Sequence, residues 1–257
     1  MAQGARLNCR GVVAYDGTRY AGFQRQAGDT PTIQGAIEAA IRQVTGQPVT
    51  LTGAGRTDSG VHATGQVIAF EVAWRHPRQE LWRAINATLP GDIALQSLEE
   101  AQAGFHPRFD ARSRVYEYTL YAAPVRQPLL DRYAWHARAD GPLDLVVMRQ
   151  AAALLIGARD FATFGQPPQG ETTIREVRRS ELAETVEPGS GAQVIRYTIE
   201  ANAFLYRMVR RIVGALVRVG AGQVAVSEFE AAFRAADGSW PNQTAPAQGL
   251  RLTQVIY

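Results

Sequence analysis

Residues 53–67, GAGRTDSGVHATGQV, hold the densest group of reactive side chains in the sequence. Gly53, Gly55 and Gly60 bracket Arg56, Thr57 and Asp58. Glycine permits positive φ and close approach of a ligand to the backbone, so a turn of this kind can hold one carboxylate out into a cleft. The third glycine of a dinucleotide fingerprint is missing, and the stretch is not a phosphate-binding P-loop either. One carboxylate without a second catalytic acid, catalytic histidine or metal suits covalent attack or simple base work better than hydrolysis. The adjacent arginine would keep it ionised, lowering its pKa by about 1–3 units when close. The plainer alternative is a surface turn in which Asp58 caps its own backbone.

Two further segments carry arginine with aromatic or apolar partners. In RVYEYTLY, residues 114–121, strand alternation places Arg114, Tyr116, Tyr118 and Leu120 on one face. Such a face can stack a base and contact phosphate, or it can be ordinary aromatic core with a snorkelling arginine. In LYRMVRRIVGALVRVG, residues 205–220, Leu205, Met208, Val209, Ile212, Val213 and Leu216 fall on one helical arc. Arg207, Arg211 and Arg218 lie opposite, as a solvent or phosphate face. Arg210 sits at the edge of the arc beside Val213 and Val217. A cation there is partly desolvated and needs a carboxylate partner, for which Asp58 is the candidate.

The elements that must position these residues can be read from periodicity and punctuation. Strands are expected at Leu7–Tyr15, ended by Asp16-Gly17, at Val49–Gly53, at Gly65–Trp74 and at Ile93–Leu98. Helices are expected at Ile33–Val44, with Thr32 as N-cap, and from Pro77 to Leu89. The second half echoes this order. Strands fall at Val115–Ala122, Ile174–Glu184, Val194–Ala203 and Leu250–Tyr257; helices fall at Leu143–Ile156, Leu205–Val219 and Val226–Ala236. The expected class is α+β, as two similar halves, 1–104 with the aspartate loop and 105–257 with the tyrosine strand and arginine helix. Alternating polarity in the strands argues against a doubly wound parallel sheet.

Composition narrows the chemistry. The 257 residues are 46% hydrophobic and 20% charged, ordinary for a globular chain. Cys9 is the only cysteine, which excludes an internal disulfide and a multi-cysteine metal site and suits a reducing compartment. The four histidines, His62, His76, His106 and His136, show no metal-ligand spacing, so no metal is expected. There is no lysine, and all 27 basic residues are arginine, which excludes Schiff-base and P-loop lysine chemistry. Base composition of the genome is the simplest cause. Residues 151–158, the longest apolar stretch, fall far short of the roughly 18 a membrane span needs. The N-terminal MAQGARLNCRG is polar, without the apolar core of a signal peptide. A soluble, cytoplasmic protein is expected. Residues 1–105 carry nine arginines and nine acids, whereas residues 106–257 carry eighteen and fifteen and so supply the net charge of +3. Their clusters at 108, 112, 114, at 175, 178, 179 and at 207, 210, 211, 218 hint at a polyanionic partner.

The quoted blocks, in this order, resemble the bacterial tRNA pseudouridine synthase A family. The aspartate loop is similar to its active-site motif. YDGTRYAGFQRQ (15–26), FHPRFDARSRVYEY (105–118), DFATF (160–164), ANAFLYRMVRRIVGALVRVG (201–220) and APAQGLRL (245–252) are similar to the rest. The resemblance implies a pseudouridine synthase fold of two RRM- or ferredoxin-like halves sharing a central antiparallel sheet. It implies Asp58 as nucleophile, Tyr116 stacked on the target uracil and Arg56 in the space the flipped nucleotide leaves. It implies Arg210 paired with Asp58 and Leu250 lining the base pocket. The enzyme would be a homodimer acting on the tRNA anticodon stem-loop at positions 38, 39 and 40, with no cofactor and no metal. Pro107, Asp110, Glu117, Arg207 and Arg211 depart from the family's usual residues and bear on RNA contacts only. The rival reading is a non-catalytic RNA-binding module of two RRM-like halves, which leaves the glycine-bracketed Arg56 and Asp58 without a purpose.

Overall fold

The computed structural model describes residues 5–137, 141–167, 172–238, 240 and 243–257; the first four residues of the polar N-terminal stretch noted above lie outside them. The chain divides into two units, residues 1–112 with 252–257, and residues 113–251.

The first unit is built on β1 (Ala5–Tyr15), α1 (Ile33–Thr45), β2 (Thr52–Gly53), β3 (His62–Trp74), α2 (Arg78–Thr88) and β4 (Ile93–Glu100). Its sheet runs β4-β1-β3 with antiparallel neighbours, and β2 pairs with β3. On β3, Val67, Ile68, Phe70 and Val72 are buried while Thr64 and Glu71 are exposed. Thr32 caps α1 as expected, its hydroxyl accepting from the Gly35 amide at 3.2 Å, and the helix stops at Gly46 with φ +71°. Its face of Ile33, Ile37, Ala40 and Ile41 is buried. Helix α2 is clipped to β4 through Leu95, whose carbonyl accepts from Trp82 Nε1 at 2.7 Å and from Asn86 Nδ2 at 2.9 Å. Cys9 is buried on β1, and burial pushes its thiol up to about 11, so it stays protonated and inert.

The second unit contains β5 (Ser113–Ala122), α3 (Pro128–Asp131), β6 (Trp135–His136), α4 (Leu145–Ala153), β7 (Gly157–Asp160), β8 (Ile174–Val186), β9 (Gln193–Ala201), α5 (Met208–Gly220) and α6 (Val226–Ala235). Its sheet runs β5-β9-β8-β7 and is antiparallel, while the short β6 lies parallel to β5. Phe161 and Phe164 of the DFATF block are core residues. Phe161 lies 5.1 Å from Phe233, and Phe164 lies 5.9 Å from Phe229, centroid to centroid. The last strand, β10 (Leu250–Ile256), starts in the second unit and finishes in the first. The mixed α+β class is therefore as expected.

Several boundaries differ for local reasons. The strand expected at 49–53 shrinks to Thr52–Gly53. The helix expected at 143–156 begins at Leu145, because Asp144 accepts from the amides of Val146 and Val147 and is its N-cap. The helix expected from Leu205 begins at Met208, because Arg207 adopts φ +59°.

The polar face proposed for α5 needs correction. Its apolar arc is buried as expected, but Gly214, Ala215, Val217 and Val219 are buried too, so the helix is covered on most sides. Arg207 is exposed, whereas Arg211 and Arg218 are only partly so. Arg211 Nε is shut away from solvent, and the Arg218 guanidinium lies 5.4 Å from the Trp240 ring centroid. Chain at 243–245 packs so tightly on the helix that a Cβ at Gly214 would stand 1.8 Å from the Gln243 carbonyl oxygen.

Candidate active site

Asp58 lies in the first unit, on the loop between β2 and β3, and is half-buried; Arg56 two residues before it is exposed. The side chain between them, Thr57, is 6% exposed and its hydroxyl lies 2.8 Å from the Tyr15 hydroxyl. Gly60, at φ +75°, closes the turn, and the Val61 amide donates to the Asp58 carbonyl at 3.1 Å. Behind Arg56, the fully buried Gln66 donates from Nε2 to the Gly55 carbonyl at 2.8 Å.

A second stretch, residues 15–26, frames this loop. The Phe23 amide donates to the Thr57 carbonyl at 3.0 Å, and Ser59 Oγ donates to the Tyr20 carbonyl at 3.1 Å. The Gly17 amide donates to Nδ1 of buried His62 at 3.0 Å. A Cβ at Gly17 would stand 2.0 Å from the Val61 carbonyl oxygen, and one at Gly53 would stand 2.4 Å from the Phe23 ring. The frame is itself anchored. Arg19 and Tyr20 both donate to the Asp92 carboxylate, Tyr20 at 2.7 Å. Burial opposes ionisation of Asp92, but these hydrogen bonds outweigh it and hold the carboxyl below its usual range. Glu38 on α1, 7% exposed, accepts from the Leu51 amide at 3.0 Å and pairs with Arg25 at 2.9 Å, tying both stretches to the helix.

Gly17→Ala is therefore expected to damage the loop, because the clash is with backbone and not with a flexible side-chain end. The expected cost is about 1–3 kcal/mol of stability, read as a fall in Tm, with a larger fractional loss of activity. A variant with wild-type Tm and rate would show that the loop does not depend on this contact.

Tyr116, Arg210 and Leu250 belong to the second unit. Tyr116 is 9% exposed on β5, opposite Ile199 of β9, with its ring edge-on to Phe204 at 5.0 Å. Tyr118, its neighbour on the same face, is fully buried and donates to the Pro246 carbonyl at 2.8 Å. Burial pushes the Tyr118 phenol up, and Arg210 works the other way. Arg210 is half-buried, as its place on the arc implied. Its Nε donates to the Ala245 carbonyl at 2.7 Å while the Ala245 amide donates to the Arg210 carbonyl at 3.0 Å. This reciprocal pair fixes the stretch that leads to Leu250, itself 7% exposed. Arg251 beside it pairs with Glu117, which also meets Arg196 Nε at 3.2 Å. The acidic departure at 117 is thus internal structure, holding the strand of Tyr116 to the residue after Leu250.

Sequence reasoning missed Tyr15, Gln66, Glu38, Phe204 and Ala245. The Asp-Gly and Ala-Gly-Phe punctuation of 15–23 is the available signal for the frame; nothing local marks Gln66 as a contact of the loop or Glu38 as the partner of Leu51 and Arg25. Among the described residues, no group of three or more His, Cys, Asp and Glu could hold a metal ion, and no helix is long and apolar enough to cross a membrane.

Residues 12–110 and 151–257 match the family described as tRNA pseudouridine synthase, and the chain belongs to that family of isomerases. Its relatives carry a more particular name. It is 42% identical to tRNA pseudouridine synthase A of Neisseria gonorrhoeae (strain NCCP11945) over 249 residues, 96% of this chain and 90% of the relative. It is 42% identical to the protein of that name from Brevibacillus brevis over 253 residues, 98% and 99% of the two chains. It is 39% identical to that of Moorella thermoacetica over 250 residues, 96% and 98%. Membership of an enzyme family sets aside the non-catalytic RNA-binding module.

Proposed function

We propose that this enzyme converts uridine to pseudouridine at positions 38, 39 and 40 of the tRNA anticodon stem-loop, with Asp58 as the nucleophile. The observation that carries the assignment is the loop itself. Asp58 is the carboxylate of a glycine-closed turn that backbone hydrogen bonds and the side chains of Tyr15, Thr57 and Gln66 hold in place. A uracil within a stem must leave the stack before it can react, at a cost of a few kcal/mol. Tyr116 recovers part of that by stacking, Leu250 lines the pocket, and Arg56 fills the space left behind. Arg210 is the proposed partner of the Asp58 carboxylate.

The reaction balances without a co-reactant. The C1′–N1 bond breaks, the uracil turns, C1′ bonds to C5, the C5 hydrogen leaves to solvent and N1 gains a proton. Substrate and product are isomers, so the net reaction consumes neither a redox equivalent nor a group donor. The enzyme works as a homodimer in the cytoplasm on this reading.

The test follows the C5 hydrogen. Unmodified tRNA labelled with tritium at uridine C5 is expected to release label to water on incubation with this protein alone, one equivalent per pseudouridine formed. Tyr116→Ala is expected to slow release by about 5- to 150-fold, from stacking worth roughly 1–3 kcal/mol per base. Bound tRNA without release would overturn the assignment, and release only with a methyl donor would point to a C5 methyltransferase.

A further inference from the structure

Phe109 has 74% of its surface exposed, yet it sits in one of the most tightly organised turns of the first unit. The His106 ring nitrogen Nδ1 accepts from the amides of Arg108 and Phe109 at 3.2 and 3.3 Å. The Asp110 carboxylate accepts from the His106 amide at 2.9 Å, and the Asp110 amide donates to the His106 carbonyl at 3.1 Å. Tyr257 locks the turn from outside by donating from its hydroxyl to the buried Pro107 carbonyl at 2.8 Å. Two side chains and the chain between them are thus committed to one conformation, and its product is an outward-facing phenyl ring.

The surroundings of that ring are those of a nucleic-acid contact. The His106 imidazole backs it with centroids 4.2 Å apart and planes inclined by 31°. The guanidinium of half-buried Arg108 lies 5.7 Å from the ring centroid, and the exposed Arg112 follows Phe109 by three residues. A fixed aromatic face beside arginine is the combination that holds an unstacked base while meeting its phosphate, because every base has a π-face and the arginine charge is permanent. Leu129 is more exposed, at 93%, but offers no π-face.

We propose that Phe109 is a stacking platform for an unpaired nucleobase of the bound tRNA, distinct from the base that reacts, with Arg108 and Arg112 meeting the adjoining phosphates. The proposal rests on tRNA being the substrate and extends it to a second base.

Affinity for an unmodified tRNA transcript, at one fixed salt concentration, is measured for the full chain and for Phe109→Ala, Phe109→Leu and Phe109→Trp. Expected are about 5- to 150-fold weaker binding for the Ala and Leu variants, affinity within about threefold of wild type for Trp, and Tm within about 2 °C in all three. The leucine variant matters because it keeps apolar bulk and loses only the π-face. At saturating tRNA the turnover of Phe109→Ala is expected to stay within a fewfold of wild type, the loss falling on KM. Wild-type affinity in Phe109→Ala, or equal affinity of the Leu and Trp variants, overturns the proposal. So does a change of sedimentation state in Phe109→Ala, which would make the ring a contact between copies of the chain. If wild-type protein binds tRNA but forms no pseudouridine, the assignment of the reaction fails while this proposal stands or falls on the binding series.

Discussion

Asp58→Asn is expected to fold, to bind tRNA with wild-type affinity and to lose turnover by about 10⁴–10⁶-fold, the scale on which removal of a covalent nucleophile is felt. Asparagine matches aspartate in shape, and the ties of the turn through the Asp58 carbonyl, Thr57 and Ser59 remain in the variant. Structure and chemistry should therefore separate cleanly. Measured together, Tm and tRNA affinity report the frame, and tritium release reports the carboxylate. Retention of a tenth of wild-type activity would show that the carboxylate is not the nucleophile. A parallel loss of Tm would instead assign Asp58 a part in holding the loop.

The second large effect is expected from salt. A tRNA footprint of six or more phosphates predicts loss of about 10³-fold or more in affinity between 50 and 200 mM salt. Not all 27 arginines are available for it. Arg178 and Arg179 already pair with Glu176 and Glu181 along β8, and Arg211 and Arg218 are partly enclosed on α5. Exposed arginines such as Arg56, Arg112, Arg126 and Arg207 remain candidates. Each one that meets a phosphate should reduce the salt slope by about one when neutralised. Arg56→Gln separates two roles, since a residue that fills a vacated base position should change turnover more than the slope. A flat salt profile for the wild type would remove the polyanion from the account altogether.

What could be read from the sequence follows the reach of local rules. Thr32 as N-cap, the strands at Ile174–Glu184 and Val194–Ala203 and the arc of α5 each rest on spacing within one element, and all appear in the structure. The polar side of α5 failed because its covering comes from residues 243–245, remote in sequence and without a periodic signal of their own. The same limit governed the site. The glycines around Asp58 announce a turn, but the contacts that hold it, from Tyr15, Phe23 and Gln66, come from residues remote in sequence or on other elements. The short α3, β6 and β7 were not foreseen, since two to four residues cannot display a period. Glu117 looked like a departure in an RNA-facing residue, and only the structure reveals its two arginine partners.

The frame around residues 53–61 also bears on when ordering entropy is lost. Immobilising a flexible residue costs about 1–2 kcal/mol, so a loop of that length left mobile would charge each encounter with tRNA a substantial sum before any chemistry began. Here the hydrogen bonds from residues 15–23 and the glycine contacts at 17 and 53 settle the conformation during folding of the first unit, before RNA arrives. On the proposed function, binding energy from the tRNA is then left for extraction of the uridine from its stack, which cannot be done in advance.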